Sequence, residues 1–228
     1  MFKSVLLMTV LISSLVGAAH ATSIDSSDTK ALKIASVTVT EVAPVAPFLE
    51  QPQFTGELGD IIASIDGIIA IGTKIWKIVD AGRPVITTNV KNIVSVLPNI
   101  PGEVSPISLM SNWSAPKVSS FRVSFKNAYK QEVVGFTYSI YFQFNGNYKD
   151  HGKYLTNLKV QASQINTAWG FNFDAVSELI GIANVGTIAD PVASATIQIS
   201  YAVKGLINES RLAQSYYVDG TGHFQIIP

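Results

Sequence analysis

The chain contains no cysteine and has few charged residues. Among its 228 residues, Asp, Glu, Lys and Arg together make up 14%, and the formal net charge is zero. The absence of cysteine excludes disulfides, thiolate catalysis and thiolate metal ligands. The sequence has no run of Lys or Arg that would bind the negative charges of a polyanion. We therefore predict that nucleic acid is not a partner.

Histidine is also scarce, and this limits proposals for catalysis and metal binding. The segment after the predicted signal peptide contains His151, in a loop flanked by glycines, and His223, which lies four positions after Asp219 across a glycine-rich turn. Neither a G-x-S-x-G elbow nor an H-E-x-x-H motif is present. We predict that the protein is not an enzyme and has no cofactor or metal site. A hydrolase using His151 is the third hypothesis for function.

The first 21 residues have the organisation of a secretory signal peptide. Lys3 supplies the positive start, Val5–Val16 the apolar region, and Ala19-His20-Ala21 the small-x-small cleavage site. We predict cleavage after Ala21, so that the exported chain begins at Thr22. Because a secreted eukaryotic domain of this size usually contains disulfides, we expect a bacterial protein that is periplasmic or secreted.

The stretch Glu132–Phe144 predicts a core β-strand. Apolar side chains occupy every second position from Val134 to Phe144, which is the period of a pleated strand. Asn145-Gly146 follows directly and predicts a tight hairpin turn. Similar short alternating segments, one of which runs from Ile165 through Trp169 to Phe173, continue to the end of the chain. This pattern predicts an antiparallel, immunoglobulin-like β-sandwich over residues 107–228.

Leu58–Val79 has a different pattern, in which apolar residues recur at intervals of three and four. This spacing predicts an amphipathic α-helix, and Pro-rich linkers flank it on both sides. The predicted organisation is therefore a signal peptide (residues 1–21), an extended leader (22–56), a helical region with its linker (57–106) and a β-sandwich (107–228).

The apolar stripe of this helix must be covered, and three partners are open. The first candidate is the protein's own sheet, which we favour. The second is a partner helix in a self-associated form, and the third is lipid, with a tryptophan at the interface. The candidate contact residues for a membrane or a partner are Ile61, Ile65, Ile68, Ile69 and Trp76. Rings that could stack on a flat ligand are those of Tyr141, Tyr148 and Trp169.

An amphipathic helix ahead of a cysteine-free sandwich rich in Tyr and Trp resembles the organisation of the actinoporin-type cytolysins. The resemblance implies a membrane-active, pore-forming toxin that uses the helix at residues 58–79. The Pro-rich spacer from Pro98 to Pro106 departs from their plan. Our leading hypothesis is an exported, non-enzymatic β-sandwich protein with a binding or structural role, whose partner is a protein, a glycan or a lipid. The pore-forming toxin is the alternative.

Overall fold

The computed structural model of the chain describes residues 8–11, 26–44, 59–85, 93–102 and 106–228. Two antiparallel sheets pack against each other, which confirms the predicted sandwich class. The first sheet has the spatial order β1 (Met8–Leu11), β2 (Ile34–Val42), β8 (Lys117–Asn127), β9 (Glu132–Tyr148), β10 (His151–Thr167), β7 (Val94–Pro98), β4 (Ile68–Gly72), β3 (Asp60–Ile65). The second has the order β14 (Phe224–Ile227), β13 (Glu209–Asp219), β12 (Ala193–Lys204), β11 (Asn172–Asn184), β5 (Ile75–Asp80), β6 (Arg83–Pro84). A short helix, α1 (Ser26–Leu32), precedes β2, and a 3₁₀ turn spans Pro106–Leu109.

β9 is central to the core, as its alternation predicts. It pairs with β8 on one side and β10 on the other. The rings of Phe136 and Phe173 lie 4.4 Å apart and connect the two sheets. The hydroxyl groups of Tyr138, on β9, and Tyr216, on β13, form a hydrogen bond across the same layer. Large aromatic side chains therefore fill the space between the sheets, where each buries much apolar area.

The α-helix predicted for Leu58–Val79 is wrong, because the described part of this stretch, residues 59–79, forms strands β3, β4 and most of β5. The chain reverses at Asp66-Gly67, with φ angles of 45° and 79°. These positive values are those of the tight hairpin turn that Asp-Gly favours. The many isoleucines, which are β-branched, also prefer a pleated strand to a helix.

Strand β4 is buried on both faces, and this explains its uninterrupted apolar sequence. Ile68 faces the core between the sheets, whereas Ile69 joins a smaller cluster on the outer face. Residues of the segment after the 3₁₀ turn, with Met110 and Trp113 among them, cover that outer cluster. Gly72 ends the strand where a Cβ atom would lie 2.3 Å from the carbonyl oxygen of Ile93, so the close approach of these two segments requires glycine.

The predicted hairpin turn at Asn145-Gly146 is also wrong. β9 continues to Tyr148, and the chain reverses at Lys149-Asp150, whose φ angles are 51° and 63°. Gly146 instead lies beneath the indole of Trp113, where a Cβ atom would be 2.4 Å from the ring. The glycine is therefore needed because it lacks a side chain where the ring packs on the strand, and not because the chain turns there.

The strands before residue 107 belong to the same two sheets as those after it. β2 pairs with β8, β7 with β10 and β5 with β11. Strand β1 falls within the predicted signal peptide, and α1 and β2 fall within the predicted leader. Most of the first Pro-rich linker, and residues 103–105 of the second, lie outside the described residues. Among the residues that are described, no helix has the length and apolar character to cross a membrane.

Candidate binding surface

Three loops and helix α1 meet at one end of the sandwich, and we call this surface the loop end. The loops are residues 128–131, 168–171 and 205–208, which follow β8, β10 and β12. The backbone amide of Ala128 donates a hydrogen bond to the carbonyl of Lys30 in α1, at 3.2 Å. A Cβ atom placed on Gly170 would lie 3.3 Å from Leu32 and 3.7 Å from Leu206. The helix and the loops therefore form one contiguous surface.

Asn127 fixes the first of these loops to the helix. Its side-chain oxygen accepts hydrogen bonds from the amides of Tyr129 and Gln131, each at 3.0 Å. Its side-chain nitrogen donates to the carbonyl of Ala31, at 3.1 Å. Asn127 is buried, so these bonds satisfy polar groups that water does not reach. The position of Tyr129 is set by this arrangement.

Asn208 fixes the third loop in a similar way. Its side-chain oxygen accepts from the amide of Ile34, and its side-chain nitrogen donates to the carbonyl of the same residue, both at 3.0 Å. The amide of Gly205 donates to the Asn208 carbonyl at 2.9 Å, which closes the loop. The two residues between, Leu206 and Ile207, are thereby held outward at the tip.

Large apolar side chains are exposed at the loop end. The exposed fraction is 85% for Trp169, 65% for Leu206, 49% for Tyr129 and 37% for Ile207. Leu32 and Phe171 lie among them and are half-buried. Single exposed apolar residues are ordinary, but a contiguous group contributed by separate loops indicates a contact surface.

Four lysines lie in or next to α1 and these loops. They are Lys30, Lys33, Lys130 and Lys204, and the nearby acidic residues in the sequence are Asp28, Glu132, which is paired with Arg122, and Glu209. Glu209 is paired with Arg211 at 2.5 Å. Within the described residues, the ion pairs do not include any of the four lysines. The loop end therefore combines an apolar tip with a surplus of positive charge.

A shallow cleft of about 490 Å³ lies beside Trp169, lined by Glu132, Val133, Ile165, Asn166, Thr167 and Ala168. Its carboxylate is already engaged, because Glu132 accepts a hydrogen bond from Arg122 at 2.6 Å. The same guanidinium donates to the carbonyl of Gln164 at 2.9 Å. Because Arg122 already binds the Glu132 carboxylate, this side of the cleft has few polar groups left to bind a ligand.

The structure does not bring the three predicted stacking rings together. Tyr141 is 5% exposed, and the amine of Lys159 lies 5.4 Å from its ring centre. Tyr148 is half-buried at the opposite end of the sandwich, beneath Lys149. Trp169, which the alternation places within a strand, lies in the loop between β10 and β11. It is the member of the set with a freely accessible ring.

The predicted contact residues of Leu58–Val79 are also divided. Ile68, Ile69 and Trp76 are 0%, 8% and 5% exposed, so this fold removes them from contact with a membrane or a partner. Ile61 and Ile65 lie on the outermost strand of the first sheet and are 68% and 45% exposed. This separation follows from the hairpin, which places residues on different strands that a helix would align on one face.

His151 and His223 are apart from the loop end. His151 follows the Lys149-Asp150 turn and is exposed, and the next amide, that of Gly152, donates to Asp190 at 2.7 Å. His223 packs against Tyr217, with ring centres 6.0 Å apart. No group of three His, Cys, Asp or Glu side chains suited to a metal ion occurs in the described part of the chain.

Sequence reasoning did not identify Leu206 and Ile207. The signal that could have found them is an apolar dipeptide at a hairpin tip, between Gly205 and Asn208, where polar residues are usual. Comparison with models of known protein families, with curated proteins and with solved structures finds no match to this chain.

Proposed function

We propose that the protein is an exported, non-enzymatic β-sandwich protein that binds lipid surfaces through its loop end. The observation that carries this proposal is the exposure of Trp169, Leu206, Tyr129 and Ile207 on the loop end, whose elements also carry four lysines. Tryptophan and tyrosine favour the interface between water and hydrocarbon, and lysine is attracted to anionic headgroups.

The chemistry of the surface favours lipid over a glycan. A sugar site needs convergent polar groups around the stacking ring, whereas a Cβ atom placed on Gly170, the residue after Trp169, would lie closest to the side chains of Leu32 and Leu206. Burying Leu206 contributes up to about 1.5–3 kcal/mol, burying Ile207, which is 37% exposed, contributes less, and each lysine near an anionic surface contributes about 1 kcal/mol. Contributions of this size are consistent with reversible and salt-sensitive attachment.

The other hypotheses receive less support. The pore-forming toxin depends on a helix at residues 58–79, and the described residues of that stretch form strands, so we propose surface binding without a pore. The hydrolase depends on His151, and its described surroundings provide no observation in its favour. Export rests on the signal peptide, and mass spectrometry of the exported protein should find Thr22 at its N-terminus.

Vesicle co-sedimentation tests lipid binding. The chain beginning at Thr22 should bind vesicles containing phosphatidylglycerol, bind phosphatidylcholine vesicles weakly, and lose binding at high salt. Trp169→Ala and Leu206→Ser should each reduce the affinity about tenfold or more, because each removes apolar area from the contact. The melting temperature should change little, since both side chains are exposed.

Ile188→Ser is the matched control. Ile188 is 91% exposed, but it lies in the loop between β11 and β12 at the opposite end of the sandwich. Its replacement should leave vesicle binding unchanged. Absence of binding by the parent chain, or equal losses in the Trp169 and Ile188 variants, would show that the loop end is not a lipid-binding surface.

A further inference from the structure

The outer edge of β2 pairs with a strand that the exported protein is predicted to lose. Met8–Leu11 forms β1 and pairs antiparallel with β2, with Thr9 opposite Thr38 and Val10 opposite Val37. This segment lies within the apolar part of the predicted signal peptide. Cleavage after Ala21 would therefore remove β1 and expose the backbone donors and acceptors along that edge of β2.

The newly exposed edge has few of the features that protect sheet edges from association. β2 has nine residues, Ile34–Val42, and contains neither proline nor lysine. Its register with β8 is continuous from Ser36 to Val42, so no bulge interrupts this part of the strand. A long edge of β-branched residues without proline or lysine readily accepts another strand.

The sequence of β2 is self-complementary about Thr38. In its pairing with β1, the edge accepts the order Met8-Thr9-Val10, which is apolar, hydroxyl, apolar. The segment Val37-Thr38-Val39 of a second copy has the same order and the same spacing. In an antiparallel pair centred on Thr38, threonine would lie opposite threonine, Val37 opposite Val39, and Ser36 opposite Thr40. Each residue from Ser36 to Thr40 would then meet a side chain of its own kind on the same face of the sheet.

We infer that removal of the leader converts β2 into a homodimer interface, in which the β2 strands of two copies pair antiparallel about a two-fold axis at Thr38. The first sheets of the two copies then form one continuous sheet. In the precursor, the strand Met8–Leu11 occupies the same edge and keeps the copies apart. The inference rests on the export part of the proposed function and is independent of lipid binding.

Sedimentation provides the first test and does not depend on processing in a cell. The chain beginning at Thr22 should sediment as a dimer, whereas the chain beginning at Met1 with its leader intact should sediment as a monomer. A monomeric Thr22 chain that is folded by circular dichroism would overturn the inference, because another segment would then have covered the edge.

Single cysteines test the register, since the chain has none of its own. In the proposed dimer, Thr38→Cys places two thiols directly opposite each other, with Cβ atoms about 4.5–5.5 Å apart, close enough for a disulfide to form with a small adjustment. The control is Thr40→Cys, whose two copies would be separated by four residues along the strand, roughly 13 Å.

On mild oxidation, Thr38→Cys should give a covalent dimer and Thr40→Cys should not. An equal mixture of Ser36→Cys and Thr40→Cys chains should give a mixed dimer, because these positions are opposite in the proposed register. Equal cross-linking of the Thr38 and Thr40 variants, or cross-linking of neither in a chain that sediments as a dimer, would place the interface elsewhere.

Discussion

Because three tyrosines are buried in the core, we predict that the protein unfolds cooperatively at alkaline pH. Tyr138, Tyr201 and Tyr216 are 0%, 2% and 0% exposed and lie between the two sheets. Burial is the main cause that raises the pKa of each hydroxyl well above the ordinary value of about 10. The interior does not solvate a phenolate, so each side chain keeps its proton while the chain remains folded.

The direction and size of the effect follow from linkage. In the unfolded chain these tyrosines ionise near their ordinary pKa of about 10, whereas in the folded chain their pKa is higher. Their contribution to the free energy of unfolding is therefore complete below pH ~10 and is lost as the pH rises. Each group removes up to about 1.4 kcal/mol per pH unit, or about 4 kcal/mol per unit for the three. Against a net stability of about 5–15 kcal/mol, unfolding is expected at roughly pH 11–14.

A pH titration followed by both tyrosinate absorbance and far-ultraviolet circular dichroism measures this. The last tyrosinates should form together with the loss of β signal. Tyr201→Phe should make the loss of stability with pH less steep by about a third, because one of three linked groups is removed. Ionisation of all eight tyrosines in a chain that retains its β signal would refute the reasoning.

Two further predictions concern the core. Tyr138→Phe and Tyr216→Phe should each lower the free energy of unfolding by about 1–3 kcal/mol, since each leaves the other hydroxyl without this hydrogen bond. The double variant should lose less than the sum in urea unfolding, and strict additivity would contradict a direct bond. Ile68→Asp should cost several kcal/mol because the side chain is fully buried, whereas Ile65→Asp, at 45% exposure, should cost much less. Equal losses of stability in the two variants would contradict the hairpin. They would favour the helix predicted from the sequence spacing, which places both residues on one face.

The β-sandwich could be predicted from sequence because its strands carry their own pattern. Val134, Phe136 and Tyr138 alternate, and all three face the core, so the period of the residues reports the period of the backbone. The reversal after β8 also has a local cause, because asparagine favours turns and the side-chain oxygen of Asn127 accepts a hydrogen bond from the amide of Gln131. Local chemistry decides both features.

The stretch from Gly59 to Val79 could not be read by spacing alone. Ile68 and Ile69 are adjacent and both buried, because β4 has the main core on one face and a second cluster on the other. A strand buried on both faces loses its alternation, and its apolar positions then also fit a helical stripe. The cue that decides between them is Asp66-Gly67, which lies in the middle of the run and is a strong hairpin signal.

The loop end could not be predicted because its residues are far apart in the sequence. Tyr129, Trp169 and Leu206 lie in separate hairpins, and only the antiparallel order of the strands brings them to one end of the sandwich. Alternation from Ile165 to Phe173 even suggested that Trp169 belonged to a strand. The chain turns there, with Gly170 at a φ of 85°, which moves the indole from a sheet face to a tip.

The two proposed surfaces have a fixed geometric relation. β2 begins at the loop end, where Asn208 holds Ile34, and runs away from it. Antiparallel pairing about Thr38 would place Ile34 of one copy near Val42 of the other, so the two loop ends would point in opposite directions. A dimer of this kind would not lay both copies of Trp169 on one flat bilayer, and it would gain no avidity there. It would instead present one apolar tip at each end of a continuous sheet.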